Sequence, residues 1–175
     1  MKALTIWQPW ASLLAYGAKK YETRSWSTKY RGPIAIHAAT IKVPQVLKKL
    51  FPYDECDGMA KSAFLDAVAK GLCGVYTTEE LMETLNALPT GAVVATANLI
   101  GCHKMRSPSG FRLLKYGDTP FIRREDGRTS MPDKVEIALG DWKPGRWAWE
   151  FSDMRLIDPI PTKGKQGLWK WDEQR

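Results

Sequence analysis

Between Gly17 and Trp26 the apolar spacing changes from that of a helix to that of a strand, across a cluster of charges. Upstream, Pro9 stands near a first helical position, where its missing N–H does no harm. Trp10, Leu13 and Leu14 then recur at helical spacing, and Gly17 can take the left-handed conformation that closes a helix. The next residues alternate, with Tyr21, Thr23 and Ser25 on one face and Lys20, Glu22, Arg24 and Trp26 on the other. Lys19 falls in the connecting turn, within reach of Glu22 and Arg24. The expectation is a helix over 9–16, a tight exit, and a strand that gathers a lysine, a carboxylate and an arginine into one site.

The rest of the chain builds a scaffold around that point. A strand over about 3–6 precedes the helix, and Tyr30-Arg31-Gly32-Pro33 reads as a turn into a strand over 34–37. Val43, Val46, Leu47, Leu50 and Phe51 form a helical stripe that Pro52 stops. Ala60, Phe64, Ala67, Val68 and Leu72 form a second stripe, over 59–72. Thr77 and Glu80 make a capping box for a third helix, which Pro89 and Gly91 close. Residues 41–90 are therefore expected to be a helical insertion. Ala92 to Cys102 is apolar and β-branched, a buried strand. Residues 103–135 mix turn formers with basic residues, Arg112 and Lys115 among them, and predict loop with some helix. Strands follow with Trp147 and Trp149 on one face, then over 155–160. Strands at both ends with helices between indicate one α+β domain over 1–175.

Composition narrows the function classes. At 44% hydrophobic and 26% charged, 175 residues suit a globular domain. No apolar run approaches the ~20 residues of a membrane span, so no membrane role is expected. Trp7, Gln8 and Pro9 interrupt any leader-like apolar core. Cys56, Cys73 and Cys102 are odd in number and irregular in spacing, which implies no disulfide framework and a cytoplasmic location. Cys102 and His103 are adjacent in a strand and point to opposite faces, and no C-x-x-C or H-x-x-x-H spacing occurs, so neither metal nor cofactor is expected. The net charge of +7 together with eight tryptophans fits a polyanionic partner whose bases stack while cations track its phosphates.

Gly17-x-Lys19-x-x-Glu22-x-Arg24 resembles the signature of the ASCH domain (activating signal cointegrator homology), a branch of the PUA-like superfamily. The flanking words Leu4-Thr5-Ile6-Trp7-Gln8-Pro9-Trp10-Ala11 and Ile34-Ala35-Ile36-His37-Ala38-Ala39 fit, as does the tail from Pro159 to Trp171. The resemblance covers 1–40 and roughly 92–171. It implies a PUA-like β-pseudobarrel and an RNA-binding cleft lined by the motif. Compact bacterial members hydrolyse N4-acetylcytidine with the motif lysine, a threonine and a downstream glutamate, and other members are ribonucleases. Here Lys19 matches that lysine, Glu22 stands at the threonine's place, and no downstream glutamate aligns.

Two readings of the motif follow. Lys19, Glu22 and Arg24 form either an internal ion-pair network or a working site. In a site, Arg24 clamps a phosphate through its planar fork while Lys19 and Glu22 handle protons. Trp7, Gln8, Trp10 and Trp26 flank the motif as candidate base contacts, with packing of the helix onto the sheet as the alternative. His37, at the end of the following strand, is a candidate base or a core histidine. Lys163 and Lys165 are expected at the groove rim, beside a structural clasp made by Trp169 and Trp171. The expected ligand is single-stranded or structured RNA, or a modified nucleoside, bound or hydrolysed.

Overall fold

The computed structural model describes residues 1–52, 58–72, 74, 77–108 and 120–172, without the side chain of residue 59. Cys56, Cys73, Arg112 and Lys115 lie outside the described residues. The elements run β1 (Lys2–Ile6), α1 (Trp10–Ala15), β2 (Tyr21–Arg24), β3 (Gly32–Ala38), α2 (Val43–Leu50), α3 (Gly58–Leu72) and α4 (Thr78–Ala87). They continue with β4 (Ala92–Arg106), β5 (Phe121–Arg123), β6 (Thr129–Ser130), α5 (Lys134–Ala138), β7 (Trp147–Pro161) and β8 (Leu168–Lys170). The class is α+β. Among the described residues, no helix is long and apolar enough to cross a membrane.

The strands form one curled half-barrel sheet in the order β2-β7-β4-β3-β1-β8, with β5 and β6 continuing off β4. β1 and β3 are parallel, and the other neighbouring pairs along this path are antiparallel. β4 and β7 supply its spine. Each is 15 residues long, far beyond a usual strand, and their register shifts at three places. Such irregularities bend a long strand and let the sheet curl.

At one bend Asp153 takes φ of 51°, and its carboxylate accepts hydrogen bonds from Asn98 Nδ2 and Ser152 Oγ, both at 2.9 Å. The two strands expected on either side of this position are thus one strand, kinked at an aspartate that holds its own bend. The buried strand expected to end at Cys102 likewise runs on to Arg106.

α1 joins two cores. Leu14 faces the barrel with Leu4, Ile6, Ile36, Leu99 and Trp149, while Leu13 faces the helical layer with Val43, Phe64, Val68, Leu81 and Leu85. Both leucines are fully buried, each contributing about 1.5–3 kcal/mol. Gly17 closes the helix at φ +76°, its N–H on the Leu14 carbonyl. α3 crosses this exit at Gly71, where a Cβ would stand 2.7 Å from both Ala18 Cβ and Leu13 Cδ2. Only glycine lets the helix approach so closely. The helices α2 and α3 occupy the two apolar stripes that predict them, α4 follows the predicted capping box, and Thr77 and Glu80 cap it reciprocally. Trp169 and Trp171 bury against Ala3, Ala35 and Val93, clasping β8 to the first strand.

Candidate nucleic-acid interface

β2 sets Glu22 and Arg24 two residues apart, hence on one face of the strand. Arg24 Nε lies 3.0 Å from Glu22 Oε1. Its N–H is nevertheless poorly aimed, so the nitrogen is buried without a hydrogen bond. The contact is an ion pair by distance only, which the angular demand on a hydrogen bond explains. Arg24 also donates from Nη2 to the Thr5 carbonyl at 2.8 Å, tying β2 to the end of β1.

Two clefts meet at this arginine, sharing Thr5, Trp7 and Arg24 as common wall. The first, of about 600 Å³, runs under the helical layer. Trp10, Phe51, Phe64 and Leu139 give it apolar walls, Glu22 and Thr23 its floor, and Asp141 and Arg146 one end. The second, of about 660 Å³, runs along the 163–167 loop and holds Trp26, His37, Thr40, Lys163 and Lys165. One lobe is aromatic and the other basic, both large enough for a nucleotide-sized group.

Lys19 does not join Glu22 and Arg24. Its ammonium sits 3.3 Å from Glu136 Oε2, with both side chains buried. The other oxygen of Glu136 accepts the Lys20 backbone N–H. α5 fixes this glutamate: Asp133 caps the helix through the Glu136 N–H at 2.9 Å, and the Glu136 carbonyl receives Trp142 Nε1 at 2.6 Å. Lys19 is absent from the residues lining either cleft. The spacing that puts it near the pair in sequence turns its side chain to the other side of the helix exit.

Gln8 is also internal. It is fully buried, its amide donating to Ser12 Oγ and the Pro89 carbonyl while its oxygen accepts from the Ser12 N–H. Trp26 stands edge-on to Trp149, ring centroids 4.6 Å apart, and still lines the basic lobe. Trp10 lines the apolar lobe with its indole N–H held by the Leu139 carbonyl at 2.6 Å. Trp7 is 42% exposed at the junction, with Lys49 Nζ 5.3 Å above its ring. Lys163 and Lys165 are exposed on the rim of the basic lobe.

His37 is buried at the base of that lobe, 2.8 Å through Nε2 from the Thr162 carbonyl. A carbonyl only accepts, so Nε2 carries the proton and Nδ1, buried without a partner, is left as an acceptor. Burial pushes the imidazole pKa below its ordinary value, outweighing the hydrogen bond to Thr162. The ring is a neutral fixture under ordinary conditions.

A second charged cluster stands on the other face of β2 and β7. Glu150 accepts hydrogen bonds from Nη1 and Nη2 of Arg124, at 2.5 and 2.7 Å, and from His103 Nε2 at 2.8 Å, while Arg124 Nη2 also donates to Tyr21 Oη at 2.9 Å. Burial alone raises the Glu150 pKa; the bonds from Arg124 and His103 overcome it and hold the carboxyl below its usual range. His103 is thereby a partner of Glu150. Its neighbour Cys102 pairs opposite Trp149 on the barrel side.

The site residues that sequence reasoning missed belong to the helical layer and its surroundings: Lys49, Phe51, Phe64, Leu139, Asp141 and Arg146. Phe51 and Phe64 stand in the apolar stripes of α2 and α3, the one signal that pointed to them, and that signal reads as core.

Residues 4–117 match the ASCH domain family. Over 121 residues the chain is 32% identical to activating signal cointegrator 1 of Homo sapiens. That alignment takes in 68% of this chain and 18% of the human protein, so the chain spans less than a fifth of that relative's length. The curled half-barrel with its helices fits the PUA-like pseudobarrel of the family, and the ASCH domain is generally an RNA-binding domain. The chain belongs to the ASCH domain family.

Proposed function

We propose that this protein binds single-stranded RNA across the two lobes, with Arg24 gripping the phosphate between two nucleotides. The observation that carries the reading is the state of Arg24: a guanidinium with an unfilled, buried Nε, placed where an aromatic lobe and a basic lobe meet. A buried arginine N–H without a hydrogen bond is costly to maintain, and the planar fork of the guanidinium matches two oxygens of a phosphate. Trp7, exposed beside it, offers a stacking face, and Lys163 and Lys165 continue the charge along the basic lobe. The reading takes residues 1–175 as one domain with the helices of 41–90 as an insertion, working in the cytoplasm, where Cys102 stays a thiol. Hydrolysis in the same cleft has less support, because the lysine it needs is committed to Glu136.

Fluorescence anisotropy of a labelled single-stranded RNA, titrated at several salt concentrations, tests the reading. Affinity should fall steeply with salt, and Arg24→Ala should weaken binding about tenfold or more and reduce the salt slope by about one. Binding indifferent to both salt and Arg24 would overturn it.

A further inference from the structure

Glu22 lines the apolar lobe, with its Oε1 3.0 Å from Arg24 Nε. A carboxylate only accepts hydrogen bonds and a guanidinium only donates them. Together they form an acceptor–donor edge at the floor of a cavity walled by Trp10, Phe51 and Phe64. A flat ring entering this lobe must bring an N–H to Glu22, since a carbonyl oxygen there meets like charge in an apolar surround.

Nucleobases divide on this requirement. Cytosine and adenine each carry an exocyclic amine next to a ring nitrogen acceptor, the complement of Glu22 beside Arg24. Guanine offers its amine and N1–H to the carboxylate and O6 to the arginine. Uracil has one N–H flanked by two carbonyl oxygens, so any pose that feeds Glu22 also presses an oxygen towards it. We infer that the apolar lobe selects an amino-bearing base against uracil, and that Glu22 is the residue that determines this choice. The inference rests on the RNA-binding reading above.

The test uses uridine octamers carrying one central cytosine, adenine or pyrimidin-2-one, the last being cytosine without its amine. In the parent protein the cytosine and adenine octamers should bind roughly fivefold or more tighter than all-uridine, with pyrimidin-2-one losing the gain. Glu22→Gln, whose amide both donates and accepts, should erase the preference. Equal affinities in the parent, or a preference that survives in the glutamine variant, would overturn the inference while leaving RNA binding intact. The base substitutions read the effect in the parent, so the result stands even if the variant folds poorly. Failure of every octamer to bind removes the underlying reading, and this inference with it.

Discussion

One short motif makes two ion pairs of opposite character. Lys19 and Glu136 are sealed: both side chains are buried, both carboxylate oxygens are engaged, and the glutamate is fixed by its own helix. Glu22 and Arg24 are three and five positions further on, yet theirs is open, with a misaligned Nε and both residues lining a cleft. A satisfied pair holds a fold together, whereas a half-satisfied pair leaves valences for something that is not protein. Charge content alone does not separate them; the count of filled hydrogen-bond positions does.

The contrast is breakable in a definite order. The largest effect should come from Lys19→Ala, which leaves Glu136 buried and uncompensated and should cost about 3–5 kcal/mol in urea unfolding. Combining Lys19→Met with Glu136→Gln should recover a large part of that loss, since glutamine keeps an acceptor for the Lys20 N–H while the charge is gone. A double variant no more stable than Lys19→Ala would show that the pair is not what holds the exit. Arg24→Ala should be milder on stability, about 1 kcal/mol, from one hydrogen bond to Thr5 and a partly exposed pair.

The smallest effect concerns His37. Its folded pKa lies below the ordinary value of 6.5, so the unfolded chain binds the proton more readily. Its contribution is fully present above about pH 6.5 and is lost as pH falls from there through the lower folded value. His37→Gln should flatten that part of the stability profile measured by thermal unfolding. The Glu150 contribution has a separate window: with its folded pKa depressed, it is present above the unfolded carboxyl value and lost only as pH falls through the folded one.

Local signals were legible and distant ones were not. The helices α2 to α4 follow from apolar stripes and one capping box, because periodicity is written in neighbouring residues. The turn at Gly17 follows from glycine's access to left-handed backbone. The family words brought in Lys163 and Lys165, and the structure sets them in one lobe with His37 and Trp26. The partner of Lys19 lies 117 residues away, and no spacing rule connects a helix exit to a glutamate in a five-residue helix. Gln8 read as a contact because it stands between two tryptophans, but its amide is consumed by Ser12 and Pro89, which only packing reveals. Asp153 falls between two strands expected separately; its carboxylate stabilises a bend within the one strand that joins them.

The placement of β1 between β3 and β8 has a consequence for how the chain is made. β3 follows β1 within about thirty residues, but the outer edge of β1 waits for β8, where Lys2 pairs with Lys170 and the Met1 carbonyl accepts the Trp171 N–H. At a ribosomal rate of about 5–20 residues per second, that edge stands open for roughly ten to thirty seconds. An unpaired strand carrying Ala3, Leu4 and Ile6 is a template for wrong partners throughout that interval. Completion of this sheet is therefore a long-range event, and the edge of β1 stays exposed to aggregation until Trp169 and Trp171 emerge.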